Sequence, residues 1–151
     1  MAEIVKTLFV SAASVMPRSK DDSGVAVVAT LAVAGDREVA RLQTIAGVGY
    51  AHATLKVICA ALRGLADGQT LELLTDIYYV REMLGTERAQ RRNRDLADLE
   101  HLVLQAVRSE RVRIIRTLSD GEWSLVNELH SMARSELSRL RPGQVVYPDR
   151  G

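Results

Sequence analysis

An acidic residue between a predicted strand and a predicted helix is the first feature of this sequence that could perform chemistry. The apolar segment Leu71–Thr75 predicts a buried strand, and Asp76 begins a segment, Asp76–Arg81, that predicts a helix. Side chains that follow the carboxyl end of a strand lie where α/β proteins commonly bind ligands. Asp76 is therefore the leading candidate for a residue of a functional site.

A basic cluster is the second candidate feature. It contains Arg88, Arg91, Arg92 and Arg94. Such a cluster can contact the phosphates of a nucleic acid. Glu87 and Asp95 flank it, so a solvated charged connection between helices is the alternative. The net charge of the chain is +1, with 20 Lys and Arg against 19 Asp and Glu, so affinity for nucleic acid would have to be local to this segment.

The single cysteine and the three histidines give weaker signals. Cys59 lies among apolar residues of a predicted helix, which favours an inert buried thiol over a reactive one, and a lone cysteine fits a reducing cytoplasm. His52 lies at the start of that helix without a visible metal-ligand partner, and His101 and His130 lie on later helices, where surface or packing roles are typical. No apolar segment is long enough for a membrane span, so we expect no membrane partner and no secretion.

The elements that would position these residues predict one α/β domain, because the chain is long enough to bury a core without disulfides. Strands are predicted at Ile4–Val10, Gly24–Val33 and Glu38–Ala46, with a turn at Ser11–Ser14 after the first and a hairpin signal at Gly35–Asp36. The first part of the chain should therefore form an antiparallel meander.

Helices and strands alternate in the rest of the chain. Helical spacing begins at Ala51 and ends before Gly68, and Asp95–Val107 is strongly amphipathic. A fifth strand is predicted at Arg111–Leu118 and a last helix at Glu122–Leu140. We assign residues 1–141 to a single domain and 142–151 to a loose C-terminal tail.

Three local motifs resemble those of the ribonuclease H type 1 family. Leu71–Val80 is similar to the family's fourth strand and its Thr-Asp-Ser-x-Tyr-Val junction. His52–Leu62 resembles the family's first helix, and Asn127–Arg134 resembles its last. The motifs stand in the family's order over nearly the whole chain. The resemblance implies an α/β, ribonuclease H-like fold, in which a five-stranded mixed sheet, its first three strands antiparallel, is flanked by about four helices.

The catalytic residues of that family are mostly missing. Family enzymes cleave the RNA strand of RNA/DNA hybrids with two magnesium ions held by four carboxylates. The resemblance places Asp76 at one acidic position and puts neutral residues at the other three, which are Ser11, Thr54 and Ser131. An alignment shifted within the last helix puts His130 or Arg134 in place of Ser131. Two hard cations need several anionic oxygens, so we expect no bound metal, no cofactor and no two-metal cleavage.

Hydroxyl residues avoid the repulsion that four converging carboxylates would cause. We therefore expect Ser11 and Thr54 to hydrogen-bond with Asp76 in a neutral polar pocket. Loop carboxylates could instead supply ligands to an active, magnesium-dependent nuclease with a rearranged site. These are Asp21, Asp22 and Asp120, although loop carboxylates are more often solvated.

Substrate contacts of the family are also replaced. Tyr50–Ala51 and Tyr78 stand where the family has polar amide residues, and Ser119–Trp123 replaces its Gly-His loop. Exposed tyrosines can stack on bases, but they can equally be half-buried packing residues. Both interpretations stay open.

Three functions follow from these observations. The resemblance, the four arginines and Tyr78 favour a domain that binds an RNA/DNA hybrid or duplex and is inactive as a two-metal nuclease. The near-neutral charge and the replaced substrate contacts favour instead a protein-interaction or structural module, including a homodimer. An active RNA/DNA-hybrid ribonuclease with rearranged ligands is the third.

Overall fold

The computed structural model describes residues 5–16, 24–83 and 94–147. Its strands are β1 (Val5–Val15), β2 (Val25–Ala34), β3 (Arg37–Ala46), β4 (Thr70–Thr75), β5 (Val112–Ile114) and β6 (Val146–Tyr147). Its helices are α1 (Tyr50–Arg63), a π-helix (Tyr79–Met83), α2 (Arg94–Arg108) and α3 (Asp120–Leu140). In these segments, no helix has both the length and the apolar character that a membrane crossing would need.

The strands form one mixed sheet in the order β3-β2-β1-β4-β5, and β6 pairs with the end of β1. The pairs β1–β2 and β2–β3 are antiparallel, whereas β4 is parallel to both β1 and β5. With four helices in the described segments, this arrangement confirms the predicted ribonuclease H-like fold class.

The alternation of side chains along β1 divides the core into two layers. Leu8 and Val10 pack beneath α1 and α2, while Phe9 and Ala13 face α3 on the other side of the sheet. Both faces of β1 are buried, which explains its nearly continuous run of small and apolar residues. Ser11 shares the α3 face with Phe9 and Ala13, because successive side chains of a strand point to opposite faces.

Two predicted boundaries near β1 are wrong. The turn expected at Ser11–Ser14 is strand, because β1 stays paired with β2 as far as Val15 opposite Val25, and its small side chains are buried. The tail expected to be loose from residue 142 contains β6, in which Val146 and Tyr147 pair with Val15 and Ser14.

Two further elements differ from prediction. The fifth strand is only Val112–Ile114, since the chain leaves the sheet after this short parallel pairing with β4. The helix expected from Asp76 begins later, as the π-helix. Before it, the Thr75 hydroxyl accepts a hydrogen bond from the Ile77 backbone N–H at 3.1 Å, which turns the chain at the end of β4.

Candidate functional site

The parallel pairing of β1 with β4 brings two predicted site residues together. Val10 lies opposite Thr75 in the register. The next residues, Ser11 and Asp76, therefore lie side by side at the carboxyl edge of the two strands. Ser11 is fully buried, and the Asp76 side chain is only 2% exposed. The sequence-based expectation that these two residues share a site is consistent with this geometry.

The last helix supplies a third side chain to this place. A capping box fixes the start of α3: the Ser119 hydroxyl accepts from the Glu122 N–H at 3.2 Å, and the Glu122 carboxylate accepts from the Ser119 N–H at 2.8 Å. Farther along α3, His130 Nδ1 lies 3.3 Å from Ser11 Oγ and 3.9 Å from Asp76 Oδ2. We call Ser11, Asp76 and His130 the buried polar cluster.

The geometry of the buried polar cluster does not support nucleophilic catalysis. In a Ser-His-Asp triad, the serine and the carboxylate contact opposite nitrogens of the imidazole, so that the ring can accept a proton from one side while the other side is held. Here Ser11 and Asp76 both approach Nδ1 of His130. Ser11 has no exposed surface at which a substrate could meet its hydroxyl.

Burial also determines the charge of His130. It lowers the pKa of the imidazole below its usual value, the nearby Arg134 charge acts in the same direction, and only the Ala12 backbone opposes them. The ring is therefore neutral at pH 7. The contact between His130 and Asp76 is accordingly that of a carboxyl group with a neutral imidazole.

Ser131, the predicted site residue on the last helix, is exposed on α3. The neighbouring residue, His130, has the side chain that reaches Ser11, so among the candidates on the last helix it is His130 that lies in the buried polar cluster. Arg134 is half-buried and near enough to influence His130. One residue along a helix rotates the side chain by about 100°, which is why this choice decides which side chain enters the site.

Thr54 takes a different role from the one expected. It is fully buried on α1, and its hydroxyl donates to the backbone carbonyl of Tyr50 at 2.7 Å within the same helix. The expected hydrogen bond from Thr54 to Asp76 is replaced by this local one. Ser14 accepts a hydrogen bond from the Tyr50 N–H at 3.2 Å and so links β1 to the start of α1.

The side chains at this edge do not fit two magnesium ions. Magnesium requires a set of oxygen ligands, preferably anionic, in near-octahedral geometry. The cluster offers one carboxylate, and the Ser11 hydroxyl is already bonded to an imidazole. Among the residues that the structure describes, no group of three or more His, Cys, Asp or Glu side chains could hold a metal ion. Asp120 is exposed at the start of α3, and Asp21 and Asp22 lie outside the described residues.

The predicted contacts to nucleic acid are only partly described. Arg88, Arg91 and Arg92 lie outside the described residues, whereas Arg94 is exposed at the first position of α2. Tyr78 lies between Asp76 and the π-helix in the sequence, and it is 63% exposed. Tyr50 is partly buried against the core. The structure therefore leaves Tyr78, rather than Tyr50, available for stacking.

Three polar contacts outside the buried polar cluster were not anticipated from the sequence. His52 Nε2 lies 2.5 Å from Asp95 Oδ2, and Lys56 Nζ lies 3.3 Å from the same oxygen, so α1 is joined to the start of α2. The Tyr79 hydroxyl of the π-helix donates to the buried Glu100 of α2. These contacts depend on pairs far apart in the chain, which local patterns do not reveal.

The fold is similar to that of ribonucleases H and reverse transcriptases. Neither a family model nor a curated protein matches the chain. The structure of RNase H1 from the halophilic archaeon Halobacterium salinarum aligns with a TM-score of 0.55 and 20% identity, over 87% of this chain and 98% of that one. At these identities the likeness establishes a ribonuclease H-like fold.

Two viral structures show the same likeness. The protease-reverse transcriptase of prototype foamy virus aligns with a TM-score of 0.58 and 8% identity over 89% of this chain, which spans only 20% of the viral one. A foamy viral protease-reverse transcriptase in complex with dsDNA aligns with a TM-score of 0.57 and 13% identity, over 89% of this chain and 92% of that one.

Proposed function

We propose that this chain is a ribonuclease H-like domain that binds duplex or hybrid nucleic acid and does not cleave it by the two-metal route. The observation that carries this proposal is the buried polar cluster. Where the related fold would bring carboxylates together, a neutral imidazole is packed against Ser11 and Asp76.

The absence of cleavage follows from the charges that the reaction requires. Two cations about 4 Å apart bind the attacking and the leaving oxygen, and the anionic ligands must offset both the repulsion between the cations and their dehydration. A single carboxylate beside a serine and a neutral histidine supplies too little negative charge. Asp76 is also nearly inaccessible, with its side chain 2% exposed.

Retention of nucleic-acid binding is supported by the fold and by the basic segment. One structure with this fold was determined in complex with dsDNA. The segment between the π-helix and α2 carries the arginines at 88, 91 and 92, and Arg94 continues it as an exposed residue. The exposed ring of Tyr78 could add stacking, which is worth about 1–3 kcal/mol per base in single-stranded complexes.

Fluorescence anisotropy of a labelled RNA/DNA hybrid across a salt series tests the proposal. The log of the affinity should fall linearly with log salt, and Arg91→Ala/Arg92→Ala should flatten the slope by an amount on the order of 0.9, the value for B-form DNA, for each phosphate contact that is lost. Arg37→Ala/Arg41→Ala, which removes the same charge from exposed positions on β3, is the matched control and should leave the slope unchanged. Equal effects of the two variants, or no binding at low salt, would refute the proposal.

A cleavage assay with magnesium and with manganese tests the second half of the proposal. We expect the hybrid to remain intact with either metal. Cleavage by the native protein that disappears in Asp76→Asn would show that the site is active and would overturn this half.

The exposed edge of the sheet favours a second candidate function, which is pairing with another protein or with a second copy of this chain. β3 has ten residues at the end of the described strand order, and Val39 and Leu42 are 45% and 44% exposed on it. An unpaired edge strand is a template for pairing with another chain. A stable dimer in light scattering, together with no binding to nucleic acid, would favour this candidate.

A further inference from the structure

A recess near the amino ends of the parallel strands, opposite the ends at which Asp76 lies, is lined by basic and apolar side chains. Its volume is about 620 Å3, and it lies between the C-terminal turns of α1 and α2, where the chain approaches β5. The backbone N–H of Leu71, near the start of β4, donates to the Arg111 carbonyl at 2.8 Å. The recess is therefore near the amino edge of the parallel strands, whereas Asp76 follows the carboxyl end of β4.

Three arginines from three segments line this recess. Arg63 is the last residue of α1, Arg108 is the last residue of α2, and Arg111 precedes β5. None of the three forms an ion pair with a carboxylate in the segments that the structure describes. No described Asp or Glu lines the recess. Guanidinium groups are suited to phosphate because their donors match its oxygens in pairs.

The turn after α2 brings two of these arginines to the same recess. The Arg111 N–H donates to the Ala106 carbonyl at 2.8 Å, and the Glu110 N–H donates to the Val107 carbonyl at 3.1 Å, which is the pattern of a Schellman motif. Glu110 has a φ of 63°, a left-handed conformation that glycine usually adopts at this position. The chain thus reverses immediately after Arg108 and carries Arg111 back to the same side.

The remaining lining is neutral and largely apolar. Leu62, Leu102 and Ala106 contribute to it, and Leu102 is 46% exposed. Burial raises the pKa of the Cys59 thiol, so this side chain remains neutral at pH 7 and does not offset the positive charge. A ligand for this recess should therefore combine an anionic group with an apolar or ring-shaped body.

We propose that this recess binds a small organic phosphate, a phosphomonoester attached to a ring system. The three guanidiniums would hold the phosphate, and the apolar side chains would contact the ring. The volume lies within the range of about 300–1,000 Å3 that is typical of small-ligand sites. The site shares no residue with the nucleic-acid contacts proposed above, so either proposal can fail without the other.

Isothermal titration with adenosine monophosphate as the probe tests the recess. We expect saturable binding that Arg63→Gln/Arg111→Gln weakens at least tenfold. The control Arg37→Gln/Arg41→Gln, on β3, removes the same charge elsewhere and should leave the affinity unchanged. The arginines at 63 and 111 are exposed, so circular dichroism should show that the variant remains folded.

Three further titrations separate the parts of the proposal. Adenosine should bind at least tenfold more weakly than adenosine monophosphate, and so should inorganic phosphate, because each lacks one half of the ligand. Leu102→Gln should weaken the nucleotide but not inorganic phosphate. Equal binding of adenosine and its monophosphate, no binding of the nucleotide, or equal loss in the two arginine variants would overturn the proposal. If a DNA duplex displaces the nucleotide and Arg63→Gln/Arg111→Gln weakens that duplex equally, the recess is a contact for the polymer and the small-ligand proposal is wrong.

Discussion

The polar side chains at the two ends of the parallel strands differ in their burial and in their pairing. At the carboxyl ends, the side chains of Ser11, Asp76 and His130 are buried, and His130 contacts the other two. At the amino edge, the recess arginines are exposed, and no described carboxylate pairs with them. Open α/β sheets usually bind ligands at the carboxyl ends of their strands. In this chain the carboxyl ends, where the topology favours a binding site, are filled by buried side chains, while the exposed arginines of the recess lie at the amino ends.

A shared fold does not determine where the chemistry of a protein takes place. A serine and a neutral histidine beside Asp76 leave this end of the strands packed and short of negative charge, whereas a cluster of carboxylates there would need cations. Burying polar groups costs free energy unless they find partners, so changes to this packed end should alter stability, and the end offers little surface for binding. Substitutions in the buried polar cluster should therefore change the unfolding free energy, and substitutions in the recess should change ligand affinity.

The largest effect is expected for His130→Asp. A second carboxylate buried beside Asp76 would be both desolvated and repelled, and we expect a loss of about 3 kcal/mol of unfolding free energy. Ser131→Asp, on the exposed neighbouring position, should change it by less than about 0.5 kcal/mol. Urea denaturation measures both. A larger loss in Ser131→Asp would show that the helix presents the other residue to the sheet.

Removal of the cap of α3 should have a smaller effect. Ser119→Ala deletes the side-chain half of the capping box and should cost about 1 kcal/mol of unfolding free energy. Ser135→Ala, at an exposed position within the same helix, is the control and should be nearly neutral. Thermal unfolding followed by circular dichroism checks the difference. Equal midpoints would mean that the cap contributes nothing measurable to the stability of the domain.

Sequence patterns predicted the class of fold but not the details of the site. Alternating and helical periods indicated the strands and helices, because these repeats reflect which side of an element is buried. Ser11–Ser14 has the composition of a turn, and only its burial between neighbouring strands and α3 makes it strand. The choice between His130 and Ser131 depends on the rotation of one helix against β1. The recess arginines are far apart in the sequence, so only the tertiary fold brings them together.

The stability of the domain should depend on pH through His130 of the buried polar cluster. The pKa of His130 is lowered in the folded state, so below its ordinary value of 6.5 the unfolded chain binds more protons than the folded one. This contribution to stability is complete above that pH and is lost as the pH falls from there toward the folded pKa. His130→Gln should reduce the decline, whereas His101→Gln, at an exposed position of α2, should not. Identical pH profiles for native protein and His130→Gln would contradict this account.

The smallest effect concerns Asp95, at the exposed start of α2. Its hydrogen bond from His52, and next that from Lys56, hold the pKa of its carboxyl below the usual range. Its contribution to stability is present above the ordinary value of 3.8 and is lost as the pH falls through the folded pKa. In an NMR titration, His52→Ala should raise this pKa more than Lys56→Ala. The reverse order would show that the contact with Lys56, rather than the hydrogen bond with His52, dominates.

The central position of β1 has a consequence for hydrogen–deuterium exchange. Its backbone is bonded to β2 on one side and to β4 on the other, and its end also pairs with β6. Neither side of β1 can lose its backbone hydrogen bonds while the neighbouring strands stay in place. The amides around Val10 should therefore exchange only when the whole domain opens. Amides of β3, which has one neighbour in the described order, can exchange through local opening. The segment that carries Ser11 should thus be among the last parts of the molecule to take up deuterium.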